Sequence, residues 1–200
     1  SYDPDKLAYD REQLRKFYLD EGYADFQVIS AVAELTKDGS NFIITYVLDE
    51  GIEYEFGDAT IRSSLPNMDT DTLLPLIEHR KGNKYKATDI DSSIDNITFA
   101  VGEDGYASAD VRPRVKRNRE EAVIDIVYII EEGPRVYIET VNINQNTRTR
   151  DEVIRRELRV LEGDAYNKVL IDRSETKIKS LGYFKEVEVS VRPGSTEDRM

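Results

Sequence analysis

The sequence has 200 residues, no cysteine and a formal net charge of −12. The lack of cysteine excludes a disulfide scaffold and a thiolate metal site. The acidic balance argues against nucleic-acid binding, because phosphates require a basic protein surface. Length alone would fit one or two domains.

Glycine-tyrosine pairs punctuate the chain at Gly22-Tyr23, Gly105-Tyr106 and Gly182-Tyr183. An acidic-Gly pair recurs at Gly51 and Gly133, and a Gly-x-x-Tyr motif recurs at 82–85 and 163–166. All three markers share a period of about 80 residues, which indicates an array of like domains.

We therefore predict repeats at 1–51, 52–133 and 134–200. Only the second is expected to hold the complete order strand–helix–helix–strand–strand. The first holds the second helix and the last two strands, and the third lacks its final strand. A repeat of this size buries a modest core, so each should be only marginally stable alone.

The first repeat opens with a helix. Asp3 is a suitable N-cap, Pro4 suits the first helical position, and Gly22 can end the helix in a left-handed conformation. Strands are predicted at 26–35 and 42–48, where an Asp-Gly pair between them is a strong hairpin signal.

The second repeat begins with a predicted strand at 54–61 and a short helix that starts near Thr72. A longer helix opens at Thr88, with an acidic residue three positions later as in a capping box. Strands are predicted at 108–117 and 121–131.

The third repeat shows the same order. We predict a strand at 136–144, a short helix at 150–161 behind a capping box that begins at Thr149, and a long helix at 167–181. Valines alternate with polar residues at 187–191, which predicts a half-buried strand.

These elements predict an α+β fold of tandem repeats, each with two helices packed on a three-stranded mixed sheet. The helical crossover makes the first two strands of a repeat parallel, and the third would lie between them. The second strand is then an edge. Pro113 and Pro193 both fall in second strands, and proline is tolerated chiefly at edges.

No catalytic constellation is visible, so we predict no enzyme activity, no cofactor and no metal site. His79 is the only histidine and is interpreted as part of a solvated helix end. The acidic run 69–71 is interpreted as helix capping, since the spacing of a calcium loop is missing.

One basic cluster surrounds the short helix of the third repeat, with acidic residues interleaved. It comprises Arg148, Arg150, Arg155, Arg156 and Arg159. It fits two interpretations equally well: a salt-bridged solvated helix, or a docking surface for another protein.

Three segments resemble a known family: 14–24, 153–159 and the Leu-Gly-Tyr-Phe stretch at 181–184. Together with the element order, they are similar to POTRA repeats of outer-membrane barrel-assembly proteins. The resemblance covers nearly the whole chain and matches about the third to fifth repeats of such an array. It implies a location at the periplasmic face of the outer membrane, with a membrane barrel following Met200.

The resemblance also implies partners, namely unfolded outer-membrane proteins and the accessory lipoproteins of the assembly complex. A BamD-like lipoprotein would contact Glu157 together with Arg155, Arg156, Arg159 and Arg148. A BamB-like lipoprotein would contact the strand around Ile29, Ala33 and Leu35. Contact with the membrane itself is expected only through the barrel.

The expected mechanism is physical rather than catalytic: an exposed second strand adds an extended client segment by backbone hydrogen bonding. Two alternatives remain open at this point. One is the POTRA region of a secretion-partner or TamA-like transporter, and the other is a non-catalytic structural repeat stalk.

Overall fold

The computed structural model describes residues 3–106, 108–144 and 149–200. Their contacts divide into two compact units, one of 1–62, 69–96 and 112–129 and the other of 63–68, 97–111 and 130–200. The helices and strands, in chain order, are α1 (Pro4–Asp20), β1 (Gln27–Leu35), β2 (Phe42–Asp49), β3 (Glu55–Ser63), a 3-10 helix (Thr70–Leu76), α2 (Ala87–Glu103), β4 (Ala109–Asn118), β5 (Val123–Glu132), α3 (Asp151–Arg155) and α4 (Lys168–Ser180).

The strands form two sheets. β1 and β2 are an antiparallel hairpin, and the other three strands follow the order β3-β5-β4. The last strand of the second repeat therefore lies between the first and the second, as predicted. The mixed α+β architecture with a three-stranded sheet is confirmed.

The Gly-x-x-Tyr motif forms the same backbone hydrogen bonds to the segment that opens its repeat, once in the second repeat and once in the third. Gly82 N–H donates to the Phe56 carbonyl at 2.8 Å, and Tyr85 N–H donates to the Tyr54 carbonyl at 2.9 Å. In the third repeat, Gly163 N–H donates to Ile138 and Tyr166 N–H to Val136, both at 2.7 Å. The spacing in the sequence thus marks a repeated backbone arrangement.

Glycine ends each long helix in the left-handed region. The φ angle is 99° at Gly22, 97° at Gly105 and 69° at Gly182, values that side chains with a Cβ rarely adopt. After Gly22, Tyr23 N–H donates to the Tyr18 carbonyl at 3.1 Å, and their rings meet edge-on.

The helix starts differ from the predictions. Thr88 lies inside α2, and its N–H donates to Asp20 Oδ1 at 3.0 Å, so the cap comes from the preceding repeat. The N-cap of α3 is Arg150 rather than Thr149, without a side-chain cap bond. The short helix of the second repeat is a 3-10 helix that begins at Thr70.

The predicted strands of the third repeat are wrong. Tyr137 forms only isolated bridges, to Ala165 and to Arg199, and 187–191 has no strand conformation. In the second repeat, β3 and β4 are each hydrogen-bonded to β5.

Burial is concentrated in the second repeat. Along β5, alternate residues have no exposed surface: Ile124, Ile126, Tyr128 and Ile130. The apolar residues of α2 are buried at Ile90, Ile97 and Val101 and half-buried at Ile94.

Candidate binding edges and surfaces

Of the two edge strands of the three-stranded sheet, β3 and β4, the one predicted from the sequence is β4. Its sheet neighbour is β5, and its other side carries no strand within the described part of the chain. Pro113, which has no N–H to donate, lies within β4, and each β4 residue after Val111 is exposed. The strand predicted to be an edge is therefore an edge.

The residues predicted for a BamB-like partner lie on β1, whose sheet neighbour is β2. Ile29 is 63% exposed and Leu35 is 57% exposed, while Ala33 is half-buried. Ile29 is at a bulge, where the register shifts between Val28 and Ser30. The structure thus brings these residues to a single exposed strand.

The residues predicted for a BamD-like partner surround α3. Glu157 is already paired inside its repeat, with Lys177 Nζ 2.9 Å from its carboxylate. Arg155 is also engaged: it donates to Glu162 at 3.1 Å and to the Val141 carbonyl at 2.8 Å. The Arg155 bond contributes to lowering the pKa of Glu162, after that residue's own backbone N–H.

Two other arginines of the same cluster have no ion-pair partner within the described residues. Arg156 and Arg159 are exposed and form no ion pair with any described residue. Arg148 lies outside the described residues. The surface therefore contains ion pairs together with exposed cations.

The interpretation of His79 as a solvated side chain is wrong. Its side chain stacks on the Phe56 ring at 3.9 Å, and its Nε2 lies 2.7 Å from the Tyr128 hydroxyl. Only 3% of the residue is exposed, and its Nδ1 has no described hydrogen-bond partner. Burial, with a smaller contribution from Arg80, lowers the pKa of His79 to about 4. His79 is a core residue rather than a site.

A cluster that the sequence analysis missed is centred on Asp25. Tyr54 donates its hydroxyl to Asp25 Oδ2 at 2.6 Å, and the Nε atoms of Arg117 and Arg119 lie 3.0 and 3.7 Å from the carboxylate. Asp25, Arg117 and Arg119 border a cleft of ≈ 570 Å³. Because Asp25 and its partners come from different repeats, no local pattern indicates the cluster.

The described residues hold neither a metal-binding cluster nor a membrane-spanning helix. Among residues 3–106, 108–144 and 149–200, no group of three His, Cys, Asp or Glu side chains is placed to hold a metal ion. No helix in these ranges is long and apolar enough to cross a bilayer.

The repeated Gly-x-x-Tyr contacts define a class of protein, a tandem array of small α+β repeats. The family model of POTRA, the surface antigen variable number repeat, matches residues 1–51, 54–133 and 136–200. The chain belongs to the POTRA family.

Curated relatives agree along the whole chain. It is 28% identical over 200 residues to the outer membrane protein assembly factor BamA of Neisseria meningitidis serogroup B. It is 31% identical over 97% of its length to BamA of Nitratidesulfovibrio vulgaris. The chain spans about a quarter of the length of these relatives, 25% of each.

A solved structure is similar as well. The crystal structure of Haemophilus influenzae BamA POTRA3-5 superposes with a TM-score of 0.78 at 25% identity, covering 100% of this chain and 79% of the other. The resemblance to POTRA repeats three to five of BamA, drawn from the residues, is confirmed.

Proposed function

We propose that this chain is the periplasmic part of an outer-membrane protein assembly machine. It would receive unfolded β-barrel proteins by strand addition and accessory lipoproteins by surface docking. The observation that carries the proposal is the exposed β4 edge of a POTRA sheet. The likeness to assembly factors over the full chain supports it.

Strand addition follows from the unpaired backbone groups of an edge strand. An extended client can bond to them with little demand on its side chains. Affinity at a single edge is low because the client loses conformational entropy on ordering. Successive repeats raise the overall affinity through effective concentration.

We propose the boundaries 1–51, 52–133 and 134–200, which lie close to the family matches.

Strand addition at β4 is tested by titrating the protein with an extended peptide taken from a barrel strand. We expect amide chemical-shift changes in β4 (109–118) during the titration. A peptide methylated on alternate backbone nitrogens is the matched control, since it keeps its side chains but loses half of its donors. Unchanged spectra, or equal binding of the methylated peptide, would contradict strand addition.

We further propose that a BamD-like lipoprotein docks around α3 and a BamB-like lipoprotein docks on β1. The exposed guanidinium groups of Arg156 and Arg159 support the first surface, and the exposure of Ile29 and Leu35 supports the second. Glu157, paired with Lys177, would hold the first surface in shape.

The docking proposal is tested with purified lipoproteins from the same genome. Arg156→Glu with Arg159→Glu should weaken the BamD-like complex by about tenfold or more, since two charge-assisted contacts reverse sign. Lys6→Glu with Lys16→Glu, both exposed on α1, is the control with the same change in net charge. Equal loss in both double variants would show a general charge effect instead of docking.

A further inference from the structure

β4 and the residues just after it carry an unusual concentration of positive charge. Between 111 and 119 there are five cations and no acid, on a chain whose net charge is −12. The cations are Arg112, Arg114, Lys116, Arg117 and Arg119. The run coincides with the edge strand of the sheet.

The cations divide between two faces of the strand. Val111 is buried, and successive side chains of a strand point to opposite faces, so 112, 114 and 116 lie on the face away from Val111. Arg114 and Lys116 form no ion pair with the described residues, whereas Arg117 is paired with Asp25 at 3.0 Å. The uncommitted charge therefore belongs to a single face.

The opposite face of β4 has another character. Val111 is buried there, Pro113 is exposed, and Val115 is 38% exposed. A segment added at this edge would therefore find backbone groups beside it, cations on one side, and the apolar residues Pro113 and Val115 on the other, where Arg117 is already held by Asp25. Each of these features alone is common, but their alignment on one edge strand specifies a ligand.

We propose that β4 selects extended polypeptide segments in which acidic side chains alternate with apolar ones. The inference rests on the proposed strand addition and names the class of client that this edge prefers. Alternate residues of a strand are about 7 Å apart, so acids at every second position match the spacing of Arg114 and Lys116. Two side chains that face each other on neighbouring strands stabilise the pair when their charges are opposite in sign, and destabilise it when their charges are alike.

A polypeptide fits this edge better than an anionic lipid surface. Headgroups would be attracted by the charges alone and would gain nothing from the free N–H and C=O groups between the cations. A strand uses both, which also fixes the register that the alternation requires. Selection by charge pattern rather than by net charge is therefore the distinguishing consequence.

The test compares two nine-residue peptides of equal composition, one with glutamates alternating with valine and threonine, the other with the glutamates in one block. Affinity is measured from amide shifts of 109–118 at low and moderate salt. We expect the alternating peptide to bind about tenfold tighter, and its advantage to shrink as salt screens the charges. Equal affinities would overturn the proposal.

A pair of variants strengthens the test. Arg114→Glu with Lys116→Glu should invert the preference, so that a peptide with alternating lysines binds better than the one with glutamates. Lys6→Glu with Lys16→Glu changes net charge equally but lies on α1, and should keep the original preference. If both double variants behave alike, the preference is set by net charge and the inference fails.

Two further results separate this inference from the proposed function. A neutral valine–threonine peptide that shifts β4 as strongly as the acidic one would remove charge selection and leave strand addition intact. No shift at β4 with any peptide would remove both. Vesicles containing phosphatidylglycerol that shift the same amides, when the peptides do not, would identify a lipid surface and overturn the proposal.

Discussion

The hairpins β1–β2 and β4–β5 occupy the same place in two successive repeats yet differ in burial. Their last strands align by the acidic-Gly pairs that end them, so Ile44 corresponds to Ile126 and Tyr46 to Tyr128. Ile126 has no exposed surface, whereas Ile44 is 42% exposed. β5 has strands on both sides, and β2 has β1 alone among the described residues. The difference shows that flanking strands and helices, rather than the hairpin sequence, create the core.

The largest effect is expected when each of the two matched isoleucines is replaced by alanine. Ile126→Ala should lower the free energy of opening of its repeat by about 3 kcal/mol, through lost burial and a cavity. Ile44→Ala should cost less than about 1 kcal/mol, because the side chain already contacts solvent. Amide hydrogen exchange measures each repeat separately, which matters because an array need not unfold in two states.

Equal effects of the two alanine substitutions would contradict the assignment of the core to the second repeat. Stability at other amides serves as an internal control. α4 should keep its protection in both variants if the effect is confined to the altered repeat.

A second test uses pH, because β5 is hydrogen-bonded to a histidine through Tyr128. The pKa of His79 is about 4 in the folded protein, below its ordinary value of 6.5. Between these values the unfolded state binds a proton that the folded state does not, so stability falls as pH falls. Lowering the pH from 7 to 5 should cost about 2 kcal/mol at β5.

His79→Leu provides the control for the pH experiment. It fills the stacking position against Phe56 without a titratable ring, so the loss of stability between pH 7 and 5 should largely disappear. Amides of β1 and β2 should show no comparable dependence in either protein. The same slope in the variant would show that carboxylates, and not His79, determine the acid sensitivity.

Much of the fold follows from local patterns in the sequence. The glycine-tyrosine pairs predict the helix ends because only a residue without a Cβ adopts φ near 97° easily, as at Gly105. The edge position of β4 follows from Pro113 and from the helical crossover between the first two strands of the repeat. Local signals suffice here because each feature depends on neighbours in the chain.

Other features depend on residues far apart in the sequence, and these were mispredicted or missed. The start of α2 is capped by Asp20, which is 68 residues away from Thr88. The neighbours Arg80 and Lys81 in the sequence suggest that His79 is exposed, but Phe56 and Tyr128 bury it. The valines at 189 and 191 alternate as a strand does, yet they are 38% and 41% exposed without a partner strand.

The candidate surfaces divide in the same way. Exposure of Arg156 and Arg159 follows from a polar helical pattern, whereas the pairing of Glu157 with Lys177 depends on how α3 and α4 meet. No sequence pattern indicates the cluster around Asp25, because its partners Arg117 and Arg119 belong to the next repeat. Contacts between repeats are set by geometry that a single repeat does not encode.

The smallest change in stability is expected when each of the two matched tyrosines is replaced by phenylalanine. Tyr128 shares a hydrogen bond of 2.7 Å with His79, and burial raises the pKa of its hydroxyl to about 12. The Tyr46 hydroxyl is also buried, but no described group pairs with it. Tyr128→Phe should cost about 1.5 kcal/mol because it leaves His79 Nε2 without a partner, whereas Tyr46→Phe should be neutral or slightly stabilising. Amide exchange in each hairpin measures the two values. A cost at Tyr46 equal to that at Tyr128 would mean that the first hairpin satisfies its hydroxyl in solution, and that the two hairpins are more alike than their burial indicates.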